Sequence, residues 1–238
     1  MAFGSIYLTD ISISLSIPEL GVLHLTKFLK WGIDGYFIIL AVKQLALLGL
    51  FIYWLKKKKM LYIFEKNAWT WSTFFFLVVS LVAIYFLRQL VDAFDLRFHH
   101  LTNNKYIFQD LLSLLYSNGQ PTFLSTVLKF SLIVVVAPIL EEIVLRGYFM
   151  NTFFPNSKYY LDVILSALIF GISHLVFSHR DPISLIIYSF AGLFFALVYR
   201  WTKNLKITIL CHSFFNFLTY AKPIWIFVYN YVYYHFFR

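Results

Sequence analysis

Two adjacent carboxylates and an arginine, Glu141, Glu142 and Arg146, stand in the run Ala137-Pro138-Ile139-Leu140-Glu141-Glu142-Ile143-Val144-Leu145-Arg146-Gly147, inside a stretch otherwise apolar enough for a membrane helix. An ionised side chain at bilayer depth costs about 2.5–3.5 kcal/mol on insertion scales, so three in one span mark buried polar chemistry. Helical spacing sorts them. Glu142 and Arg146 are four apart with the glutamate first, the favourable order for an ion pair on one face. Taken alone, that pair could serve packing. Glu141 is turned about 100° away and has no cation on its own helix, so it must meet another helix. Pro138 removes a backbone donor just before the pair and opens room in the helix.

Two further polar sites interrupt apolar spans. His174 ends Phe170-Gly171-Ile172-Ser173-His174, where Gly171 lets a neighbouring backbone come close. His212 and Asn216 are four apart in Leu210-Cys211-His212-Ser213-Phe214-Phe215-Asn216 and share a helix face. A lone intramembrane histidine is ordinarily a packing residue. Two of them, an amide and an unpaired glutamate on three spans are what a water-activating site needs. The carboxylate acts as general base, histidine shares the proton work, and His with Asn donates to a developing oxyanion. That is amide hydrolysis without a covalent intermediate. The same side chains admit a second reading, zinc held by Glu141, His174 and His212 with a position open for water. The one-helix zinc signature His-Glu-x-x-His is missing, as are Gly-x-Ser-Gly and Gly-x-Gly-Asp. Cys211 points about 100° away from His212, which argues against a thiol nucleophile, and a single cysteine excludes a disulfide framework.

The elements that must carry these groups are membrane helices. The chain has 238 residues, 61% hydrophobic and only 13% charged, against about a quarter charged in a soluble domain. The expected fold is all-α, a polytopic transmembrane bundle of about seven spans near 36–55, 71–90, 122–153, 161–178, 183–200, 206–220 and 223–237. Residues 1–120 read as an interfacial segment with two transmembrane helices, and 121–238 as the catalytic core, one membrane domain in all. The first thirty residues lack the basic start and compact apolar centre of a cleavable leader. Tyr106 to Tyr116 is amphipathic and suits an interfacial helix, and Asn118-Gly119 a turn into the third span.

The net charge of +9 is spread over the ends of apolar runs, so the basic residues are loop anchors beside lipid and no nucleic-acid partner is implied. Lys56-Lys57-Lys58-Lys59 is the clearest case and meets anionic headgroups. Placing it in the cytoplasm puts Arg200, Lys203, Lys206 and Arg238 there too and the N-terminus outside, with Lys27, Lys30, Arg88, Arg97 and Lys105 opposite. With a third helix running to Phe153, Glu141, His174 and His212 come to lie about 18, 24 and 10 Å from the loops on one side, close enough in depth to meet.

These motifs resemble the CAAX prenyl protease and bacteriocin-processing (Abi) superfamily of intramembrane peptidases. Glu-Glu-x-x-x-Arg is matched by Glu141, Glu142 and Arg146, Phe-x-x-x-His by Phe170 and His174, and His-x-x-x-Asn by His212 and Asn216. The resemblance covers about residues 120–220; Leu145 stands where the family often has an aromatic. It implies an endopeptidase acting on a membrane-bound peptide or protein; the richness in Lys, Asn, Ile and Phe suggests a bacterial plasma membrane. Glu141 with His174 would activate water, His212 with Asn216 would stabilise the oxyanion, Arg146 would hold Glu142, and Phe170 would contact substrate. The family has been described both as metalloproteases and as glutamate proteases; the absence of a helix-spaced zinc pair favours the second, with no cofactor. Two other readings compete: a non-proteolytic protein giving self-immunity to a bacteriocin, and a small transporter with a proton relay, which repeat symmetry would favour but the chain does not show.

Overall fold

A computed structural model of the chain describes residues 32–65, 70–97, 122–155, 157–175 and 182–236. The described residues form helices, with no strand among them: α1 (Gly32–Lys57), α2 (Tyr62–Glu65), α3 (Trp71–Arg97), α4 (Phe123–Phe153), α5 (Leu161–Ser173), α6 (Pro182–Thr202) and α7 (Leu205–Phe236). This is the all-α membrane bundle expected. Within α1, α3, α4 and α6 lie stretches long and apolar enough to cross a membrane, and α5 is a shorter apolar helix. Their outward faces carry Val42, Leu50, Phe75, Phe86, Leu90, Ile164 and Phe190, large apolar side chains that suit a lipid surround.

The chain's two expected last spans, 206–220 and 223–237, are one continuous helix, α7. Pro223 lies inside it; a proline in a long apolar helix removes one backbone bond, which neighbouring helices can tolerate, and does not force a turn. The two expected spans are therefore one, and Lys206 and Phe236 stand at opposite ends of a helix about 45 Å long. The expected siting of Arg238 on the side of Lys206 relied on two spans; Arg238 itself lies outside the described residues, as do 1–31, the stretch Tyr106–Tyr116 and the Asn118-Gly119 turn. Helix α5 also ends early, at Ser173, with His174 at its C-cap.

Helix α4 begins at an N-cap, Thr122, whose hydroxyl accepts from the Ser125 N–H and donates to Asp34 of α1. It is not a uniform α-helix. Leu132–Val136 and Ile143–Met150 are wound with π turns, on either side of an α-helical Ala137–Glu142. Such turns are rare and concentrate at functional sites. Pro138 accounts for part of the first. The Ala137 N–H reaches back five residues to the Leu132 carbonyl, and in the same register residue 138 would serve Ile133, but proline has no N–H. The Asn151 amide donates to the Arg146 and Gly147 carbonyls, satisfying acceptors in the second π segment.

Around α4 the packing forms three apolar clusters. Phe51, Leu55, Ile143, Val144, Ala196 and Leu205 join α1, α4, α6 and α7. Ile84, Leu145, Phe170, Phe195, Ile207 and Phe215 join α3 to α7 across the middle of the bundle. Tyr36, Phe37, Leu40 and Leu132 seat α1 on the start of α4. Helices α5 and α6 pack most closely; a Cβ on Gly171 would meet the Ser189 backbone nitrogen at 3.0 Å. The polar groups sit beneath the second cluster.

Candidate active site

Glu142 and Arg146 form the predicted i,i+4 pair, Nη1 donating to Oε1 at 3.0 Å, with both side chains fully buried. Burial leaves neither group water to fall back on, so each must be held by protein. Arg146 uses its Nη2 on the Gly192 carbonyl of α6 at 2.8 Å and places its guanidinium over the rings of Phe170 and Phe195, 5.2 and 5.8 Å from their centroids. The same Glu142 Oε1 accepts from His212 Nδ1 at 2.9 Å. Glu142 is thus the shared acceptor for a cation of its own helix and a histidine of α7.

Glu141 is buried too, 5% exposed, and takes the other side of the same imidazole: its Oε2 is 3.7 Å from His212 Nε2, beyond hydrogen-bond length. That oxygen has no hydrogen-bond partner among the described residues, and neither do Glu142 Oε2 and Arg146 Nε. Two carboxylates and one guanidinium leave the cluster one negative charge in excess.

His174 turns its Nδ1 onto the Phe170 carbonyl at 2.8 Å, which makes Nδ1 the protonated nitrogen of the neutral ring. Glu141, His212 and Arg146 all act on it electrostatically. Phe170 links the parts: its ring centroid is 4.4 Å from that of His174 and 5.4 Å from that of His212. At 2% exposure, Phe170 packs among the site residues themselves. Asn216, one turn beyond His212, donates from Nδ2 to the Ile133 carbonyl at 3.0 Å, the acceptor that Pro138 leaves bare.

All seven residues singled out in the sequence therefore stand on α4, α5 and α7 around one polar centre, with Asn216 at its edge on Ile133. The sequence reading left out α6, which bears Tyr188, Gly192 and Phe195 against the centre. The signal was faint: a glycine between aromatics four residues before and three after it, within an apolar span.

Zinc would require three ligand atoms converging at about 2 Å. No three His, Cys, Asp or Glu side chains among the described residues are disposed to hold one ion together. Both histidines direct Nδ1 to other acceptors, the Phe170 carbonyl for His174 and Glu142 Oε1 for His212.

Comparison with known proteins falls on the same helices. Residues 123–218 match the Rce1-like family, type II CAAX prenyl endopeptidases. The Rce1-like segment starts with α4 and ends six residues beyond His212, taking in every motif residue named above. A Bacillus subtilis (strain 168) protein named "Putative membrane peptidase YdiL" is 32% identical over 82 residues, 34% of this chain and 32% of its own. An uncharacterised protein of Mycoplasma capricolum subsp. capricolum is 35% identical over 112 residues, 47% of this chain and 32% of its own. The aligned stretch thus spans about a third of the length of each relative. No solved structure matches the chain significantly.

Proposed function

We propose that this chain is an intramembrane endopeptidase that hydrolyses a peptide bond in a membrane-associated peptide or protein, in a bacterial plasma membrane. The observation that carries the reading is Glu141 Oε2, a buried carboxylate oxygen with no hydrogen-bond partner among the described residues, 3.7 Å from His212 Nε2. A packing carboxylate in a low-dielectric interior is normally satisfied; one left open is in place to take a proton from water.

Glu141 accepts the proton of the attacking water, with His174 sharing the transfer. Glu142, fixed by Arg146, orients His212 through Nδ1, so that a protonated Nε2 donates to the oxyanion as the carbonyl becomes tetrahedral. Asn216 spends one amide N–H on Ile133 and keeps the second for the same oxyanion. No step uses a metal. The match to a prenyl endopeptidase family and the resemblance to a named membrane peptidase support a peptide rather than another acyl substrate.

The test is cleavage of a quenched peptide library by the detergent-purified full chain, wild type beside Glu141→Gln, each with and without a strong zinc chelator. The expected result is wild-type cleavage that survives the chelator and disappears in the variant. Loss on chelation restored by zinc would replace this mechanism with a metalloprotease, and a folded wild type without cleavage would favour a binding role such as bacteriocin immunity.

A further inference from the structure

Helix α6 carries none of the motif residues, yet it touches every helix that does. Tyr188, Gly192 and Phe195 are spaced four and three apart, so 3.6 residues per turn bring them onto one face. Tyr188 lies flat against the His174 ring, centroids 4.5 Å apart and planes within 20°. Phe195 does the same to His212, at 4.5 Å and 19°. Between them the Gly192 carbonyl accepts from Arg146, and a Cβ at this position would come within 2.9 Å of Phe170 Cβ. Both histidines are therefore faced by parallel aromatic rings from one helix, two turns apart.

An imidazole with one nitrogen anchored can still tilt about that bond, and a tilt of a few tenths of an ångström at the other nitrogen moves the atom that does the proton work. A flat ring against its face removes that freedom without adding a polar group that would compete for the proton. His174 needs this most, because α5 ends one residue before it.

We infer that α6 is the positioning element of the site: Tyr188 and Phe195 are positioning residues that set the ring planes of His174 and His212, and Gly192 is the gap that lets this face close on Phe170. The inference rests on the proposed peptidase reading for its kinetic consequence, but the ring geometry can be tested without it.

The experiment is carried out on the full chain, 15N-labelled at histidine, in detergent micelles, with the two imidazoles assigned through His174→Gln and His212→Gln. Phe195→Leu should shift or broaden the His212 ring signals and leave those of His174 in place, and Tyr188→Leu should do the converse. Signals unmoved in both variants would overturn the proposal, whether or not the protein cleaves anything. On cleavage, each leucine variant should lower kcat by about 3- to 10-fold with KM unchanged, the range an aromatic pair spans. Phe195→Tyr and Tyr188→Phe, which keep the ring, should retain the signals and kcat far better than leucine does. If either aromatic replacement is as damaging as leucine, or if KM rises instead of kcat falling, stacking is not what these residues supply.

Discussion

Two arginine–carboxylate pairs four residues apart sit in apolar helices of this protein, and their surroundings separate them. Glu142–Arg146 is completely buried, glutamate first, and the carboxylate is shared with His212. Arg88–Asp92 on α3 has the order reversed; Arg88 is buried but the Asp92 side chain is 47% exposed. Arg88 completes its bonding on Thr219 of α7 and over the Phe215 ring. The second pair ties α3 to α7 near the end of a span, where the carboxylate can be hydrated. The first has no such recourse, so its environment must supply every partner. Spacing makes an ion pair; burial decides whether it is a fastening or part of a site.

The largest separation between the two regions should appear in turnover. Glu141→Gln should reduce peptide cleavage at least about 100-fold, the loss typical of a general base, with an unchanged melting curve in detergent. Asp92→Asn should keep cleavage within a factor of about two, since the Asp92 carboxylate is half-exposed and Arg88 keeps its Thr219 contact. Equal losses would put the two carboxylates on the same footing and end the distinction.

Stability gives a sharper version. Arg146→Met leaves Glu142 buried with its cation gone and should cost about 3–5 kcal/mol in denaturant unfolding. Arg88→Met leaves Asp92 at the edge of its span and should cost about 1 kcal/mol. A smaller effect tests the seam between α4 and α7. Asn216→Ala deprives the Ile133 carbonyl of its donor and should cost about 1 kcal/mol, with a kcat loss beyond what the stability change explains. A variant with full kcat would confine Asn216 to holding the helices together.

Much of this site was legible because helical spacing is rigid. The Glu142–Arg146 pair, and a Glu141 turned toward another helix, follow from 100° per residue and are found so. Which glutamate would hold His212 was not legible, because that depends on how α7 rotates against α4. Aromatics in an apolar span look the same whether they face lipid, core or an imidazole, so Tyr188 and Phe195 gave no sign of their task. The spans read at 206–220 and 223–237 are one helix, since α7 runs unbroken through Ala221 and Lys222. The π turns were hidden as well: backbone register answers to side chains that serve its carbonyls, Asn216 from another helix and Asn151 from the same one.

Those π turns bear on which insertions and deletions the chain can survive. A turn closed over five residues holds one residue more than an α turn, so excising one there lets the ladder close again while rotating everything upstream by about 100°. A deletion within 143–145 would turn the Glu142–Arg146 pair from i,i+4 into i,i+3 and rotate both glutamates relative to Arg146 and its Gly192 anchor. A deletion within 132–136 would spare that pair and swing Phe123–Ser131, with its Thr122 tether to Asp34, away from α1. A one-residue change in the first segment is compatible with the charge cluster if α1 moves with it, whereas one in the second alters the cluster itself.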